Sequence, residues 1–325
     1  MPKNQKSGVR FEQQQAYGSV GECIYCRGQN QPFGSPLSDE HIIPLALGGN
    51  LLLPKASCSS CAKQTGNTEG TVLRGGLYPS KERLNLPSRT KVHDRPGSLP
   101  LYNVNGQKGC IRFVSVNDYP AVLILPQFPG PGLVKFPERQ EQQLAPWIYA
   151  FPADLITLYE KYGVETFSAP PINASAFGRV LAKIAYSFAV AEIGLENFVS
   201  PLVNYILHDK GNELTFYLGT MSQIQSPTAP SEIHQIQLVS EEVDGCRFIC
   251  CHIRLFASFG SPTYRVVVGQ SCEDYDPNRQ FRATIFDERS MSYFGLEICT
   301  EVKSKDGHFS VLMDPLKLWT YNDVP

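Results

Sequence analysis

The sequence predicts an α+β protein in two parts: a small N-terminal ββα unit pinned by a metal on four cysteines, then a larger mixed α+β domain. Three observations carry this. Two Cys-x-x-Cys pairs, Cys23/Cys26 and Cys58/Cys61, stand with thirty-one residues between them. Ala174–Ile193 repeats apolar residues at helical spacing, and from Leu214 onward the pattern turns strand-like. The expected division is residues 1–95 for the first part, including a basic extension, and residues 96–325 for the second.

The cysteine pairs define the first part. Each pair puts two thiolates on one tight turn, and two such turns brought together make a tetrahedron of sulfurs, the closed geometry of structural zinc. Metal binding would supply much of the folding free energy of so small a unit. The other cysteines, Cys110, Cys246, Cys250, Cys251, Cys272 and Cys299, are scattered and read as buried thiols acting as small hydrophobes.

Between the pairs runs Asp39-Glu40-His41-Ile42-Ile43-Pro44. The β-branched pair suits a short strand ending at the proline. Gly48-Gly49 then predicts a turn that carries the chain back toward Cys58, with a helix starting near the second pair.

In the second part, Ala121–Leu125 reads as a strand, and residues 150–162 read as a helix ending near Gly163. Along Ala174–Ile193 the apolar positions Val180, Ile184, Phe188 and Ala191 recur at helical steps, and Gly194 is a favoured stop. A short helix is expected over residues 198–207. Ile233–Val239 alternates, and residues 246–256, 264–268 and 309–313 add strands.

Composition excludes several classes. Hydrophobic residues are 42% and charged residues 18%, as in an ordinary folded chain. No run of eighteen apolar residues appears, so no transmembrane helix is expected. Met1–Arg10 is polar and lacks the apolar core of a secretion signal, so a cytoplasmic location is the expectation. There is no phosphate-cradling glycine loop, no Ser-His-acid context and no nucleotide fingerprint. The net charge of −2 hides an asymmetry: residues 1–95 hold twelve Lys or Arg against seven Asp or Glu, and the remainder is acidic. A basic first part fits contact with nucleic acid near the N-terminus.

Taken together, Cys23-x-x-Cys26, Asp39-Glu40-His41-Ile42-Ile43-Pro44, Gly48-Gly49-Asn50 and Cys58-x-x-Cys61 resemble the HNH endonuclease superfamily in its four-cysteine zinc version. The resemblance spans about fifty residues, by the same motif spacing. Leu53–Cys58, Glu69–Arg74 and Leu181–Glu192 carry a weaker likeness to uncharacterised bacterial HNH proteins.

The resemblance implies that His41 is the general base, an imidazole being suited to proton transfer near neutral pH. It implies that Glu40 holds a catalytic Mg or Mn ion and that Asn50 steadies the loop and the histidine. One position departs from the pattern. Ala62 stands where the family usually has a His or Asn ligand after the second pair. Glu69 is the first candidate to replace it, since Cys61, Thr65 and Glu69 step by four along one helix face, and Asn67 is the second. Lys55, Lys63, Arg74, Lys81, Arg83, Arg89 and Lys91 are candidate phosphate contacts. The implied activity is metal-dependent hydrolysis of DNA phosphodiester bonds, DNA being favoured over RNA. A zinc-stabilised nucleic-acid-binding module without catalysis is the alternative. No membrane partner is expected. The second part is open to target recognition, signal sensing or homo-oligomer assembly.

Overall fold

The computed structural model describes residues 15–29, 31, 35–87, 94–134, 146–150, 152–170, 172–208, 211–221, 226–228, 232–271, 281–286, 301–305 and 308–312. The expected contacts Arg89 and Lys91, and Cys272 and Cys299, lie outside the described residues.

In the N-terminal unit the strand expected to run to Pro44 stops at His41, and Ile42 and Ile43 form a bend whose side chains are buried. Strand β1 (Gln15–Ala16) lies parallel to β3 (Leu51–Ser57), and β2 (Ser38–His41) lies antiparallel on the other side of β3. Between β2 and β3 a single 3-10 turn, Leu45–Leu47, ends at Gly48 with φ +91°, a left-handed conformation that favours glycine. A Cβ at Gly49 would stand 2.0 Å from the Ile43 carbonyl oxygen, so the return path admits only glycine there. The expected Gly-Gly turn is thus made by two residues with different reasons to be glycine. Helix α1 (Ser59–Arg74) starts directly after Cys58, and the short α2 (Tyr78–Arg83) comes next.

The rest alternates short strands and helices. Strands β4 (Ser98–Tyr102), β5 (Ile111–Ser115), β6 (Val122–Leu125) and β7 (Trp147–Ala150) precede helix α3 (Pro152–Tyr162) and β8 (Thr166–Ala169). Helix α4 (Ala174–Ile193) begins where the Asn173 side chain accepts a hydrogen bond from the Ala176 N–H at 2.8 Å. It stops at Gly194, φ +85°. Then come β9 (Phe198–Val199), α5 (Leu202–Leu207), β10 (Leu218–Thr220), β11 (Glu232–Val243), β12 (Cys246–Leu255), β13 (Tyr264–Ser271), β14 (Phe281–Phe286), β15 (Glu301–Lys305) and β16 (His308–Leu312). The helix expected over residues 198–207 is a two-residue strand and then a shorter helix, because Pro201 interrupts the segment.

Two larger sheets result. One has the order β10-β13-β12-β11-β14 with β9 beside β13, and the other β15-β16-β8-β4-β5. Cys250 and Cys251 are buried in the first, as expected of core thiols, whereas Cys246 at the start of β12 is exposed and Cys110 half-buried, against that expectation.

Helix α4 sits at the centre. It is buried on nearly all sides, as an apolar helix inside a protein must be. It packs against α1 on one side and against β12 and β13 on the other. One continuous buried cluster therefore runs from Ile24, Ile42, Leu51 and Val72 through Phe177 and Phe188 to Ile253 and Val266. The hydrophobic core does not break at the expected boundary after residue 95.

Candidate metal centre and acidic site

The four cysteines of the two pairs converge. Their sulfurs all lie within 4.8 Å of one another, and all four residues are buried. The Cys26 and Cys58 sulfurs stand 3.8 Å apart. Four thiolates around zinc at the usual bond length of about 2.3 Å would stand about 3.8 Å apart, so the donor set fits the ion in chemistry and in size. Burial pushes the Cys23 and Cys61 thiols up, and the neighbouring sulfurs add to the rise at Cys61. A bound cation would reverse that preference and hold the sulfurs as thiolates.

This clamp joins three pieces of chain. Cys23 and Cys26 lie in the turn before β2, Cys58 stands between the end of β3 and the start of α1, and Cys61 is in the first turn of α1. The Ile24 N–H donates to the Ala56 carbonyl at 2.8 Å, which docks the first knuckle on β3.

On β2 the pleat sends successive side chains to opposite faces. Glu40 is buried and His41 is half-buried. The β2–β3 pairing carries an irregularity between Ser38 and Glu40. There Lys55 adopts φ +51° and its N–H donates to Asp39 Oδ1 at 3.0 Å. After that bulge Glu40 faces the interior of the molecule.

There it meets a residue that sequence reasoning did not single out. Lys183, from the middle of α4, is 2% exposed at its side chain. Its Nζ lies 2.6 Å from Glu40 Oε1 and 3.0 Å from Glu69 Oε1. It also donates to the His41 carbonyl and stands 3.4 Å from the Ile42 carbonyl. An ammonium has three N–H groups, and here two carboxylates and the His41 carbonyl take them. Burial works against the Lys183 charge, but Glu40 and Glu69 outweigh it and hold its pKa above the ordinary lysine value. Burial raises the Glu40 carboxyl above its usual range, Lys183 pulling it back and Glu69 pushing it further up. The sequence signal was a lysine set among Leu181, Ala182, Ile184 and Ala185 in an otherwise apolar helix.

The structure thus brings Glu40 and Glu69 together, but around an ammonium. A divalent ion such as Mg requires several oxygen ligands at about 2.0–2.1 Å in near-octahedral array. With the position between the two carboxylates filled, the residues present do not fit a catalytic ion there. Asn67 is not brought to this site. Two residues from Glu69 it is turned about 200° around α1, and it lies exposed on the face shared with Lys63 and Arg74. Asn50 comes directly after the Gly-Gly turn, and its buried Oδ1 has no hydrogen-bond partner, so the loop is not held through that oxygen.

The expected phosphate contacts divide. Lys55, Lys63 and Arg74 are exposed. Lys81 and Arg83 correct the expectation. Lys81 is buried and paired with Glu82 at 3.0 Å. Arg83 reaches Asp154 at 2.5 Å and the Tyr119 carbonyl at 3.1 Å, tying α2 to α3 and the strand region beside it. Both charges, expected to meet phosphate, are instead paired within the fold.

Among known proteins, the family model described as HNH endonuclease matches residues 23–70 of the 325. The four-cysteine cluster lies inside that segment and fits a zinc-binding HNH module. No curated protein and no solved structure matches the chain.

Proposed function

We propose, from an HNH endonuclease module at residues 23–70, that this chain cuts nucleic-acid phosphodiester bonds, DNA before RNA, with His41 as the general base. The observation that carries the reading is the clamp itself. Four sulfurs gathered for zinc join the knuckle before β2 to the β3–α1 corner, and His41 stands half-buried at the end of β2, paired with β3, inside the matched segment. In this reading the imidazole takes a proton from the attacking water. Lys55, Lys63 and Arg74 grip the phosphate backbone without regard to sequence. Mg or Mn is the family's usual helper. Because Glu40 and Glu69 already hold Lys183, no step is assigned to such an ion here.

The alternative is a zinc-stabilised module that binds nucleic acid without cutting it. Ala62, at the position of a usual family ligand, and the Lys183-filled acidic pair favour that alternative. The decisive experiment incubates supercoiled plasmid and single-stranded RNA with zinc-loaded protein, with Mg, Mn or no added divalent ion, beside His41→Ala. The nuclease reading expects nicking of plasmid that His41→Ala reduces by about a hundredfold or more, the usual weight of a general base. Salt-sensitive binding with equal, background-level cleavage by both proteins would establish the alternative.

A further inference from the structure

We propose that Lys183 is the resident cation of the HNH module: it occupies the position between Glu40 and Glu69, and the pair takes no divalent ion. Three observations converge on this. The carboxylates come from separate elements, β2 and α1, and both meet Nζ at hydrogen-bond distance, 2.6 and 3.0 Å. All three ammonium protons have acceptors, the third being the His41 carbonyl, so the lysine is held by the backbone of the residue next to Glu40 as well as by charge. The lysine side chain is itself only 2% exposed, on a helix packed against α1 and against β12 and β13. A metal entering between the acids would leave a buried ammonium with only backbone carbonyls and no counter-charge, a strongly unfavourable state.

The segment that carries His41 is therefore set from the far side of the chain, by a lysine 142 residues further along. In place of a soluble ion, α4 brings the positive charge as part of the fold. Lys183 uses its donors internally and reaches no phosphate, so it acts as a positioning residue.

The test reads ion binding, so its outcome is separate from whether the module cuts. Full-length, zinc-saturated protein is titrated with Mn²⁺, and free Mn²⁺ is followed by electron paramagnetic resonance. Wild type, Glu40→Gln and Glu69→Gln are expected to give superimposable curves through millimolar Mn²⁺. Lys183→Met is expected to gain one Mn²⁺ site, and the double variant Lys183→Met/Glu40→Gln to lose it. A site in the wild type that either Gln variant removes would overturn the proposal. So would a cooperatively folded Lys183→Met that gains none. If Lys183→Met does not fold, the comparison of wild type with Glu69→Gln, whose side chain is only partly buried, decides alone.

Discussion

His252 shows what burial does to one titratable group in this fold. It lies on β12 with Nε2 buried and without a hydrogen-bond partner, and burial holds its pKa below the ordinary value of 6.5. Between that lowered pKa and 6.5 the unfolded chain binds more protons than the folded one. Stability therefore rises with pH across the window and is lost as pH falls through it. Melting followed from neutral to mildly acidic buffer should show a steeper loss for wild type than for His252→Gln; parallel curves would remove His252 as a cause. His234 solves the same problem differently. It is wholly buried, yet the Phe256 N–H donates to its Nδ1 at 3.0 Å, which leaves Nε2 to donate to the Leu47 carbonyl at 2.7 Å. The sequence shows His234 only as one member of an alternating strand. Its two bonds, one of them to the turn after β2, depend on a pairing that local pattern does not encode.

At the scale of elements, the zinc clamp and α4 hold the same small unit from two directions. The clamp joins the knuckle before β2 to the β3–α1 corner. From α4, the Tyr186 hydroxyl donates to the Ile24 carbonyl at 2.6 Å, the Tyr25 and Ser187 hydroxyls stand 3.4 Å apart, and Lys183 holds the end of β2. Residues 183, 186 and 187 fall on one helix face, so a single face of α4 makes all three contacts. Zinc should still contribute heavily, since ion binding by such sites is worth about 10–16 kcal/mol in isolated fingers. Purified protein is expected to carry one zinc per chain by elemental analysis, and Cys58→Ser to carry much less and melt at lower temperature. Acid should release the metal, because protons compete for sulfurs whose thiols are already pushed up. Full zinc content in Cys58→Ser would show that the four sulfurs are not the site.

For the whole molecule, the continuous core makes the N-terminal unit dependent on the C-terminal part of the chain. Ile42, Ile43, Leu47 and Leu51 share their buried cluster with Phe177, Ile184 and Phe188. A fragment ending at residue 95 would expose that surface and strand the Glu40 and Glu69 carboxylates without Lys183. Such a fragment, even zinc-loaded, is expected to melt far below the full chain or without cooperativity, as followed by circular dichroism. Melting at the temperature of the intact protein would mean that the unit is self-sufficient.

The sequence alone determined the local pieces. The cysteine spacing gave the clamp, Gly48 and Gly49 gave the turn, and apolar periodicity ending at Gly194 gave the full span of α4. Each rests on neighbours within a few residues or on a paired motif whose chemistry names its own partner. Only the tertiary structure decided that Lys183 meets Glu40 and Glu69, and that Lys81 and Arg83 turn inward. Periodicity tells which face of a helix is buried, and a charge on that face must have a partner. Which of many distant carboxylates supplies it is fixed by how the elements pack.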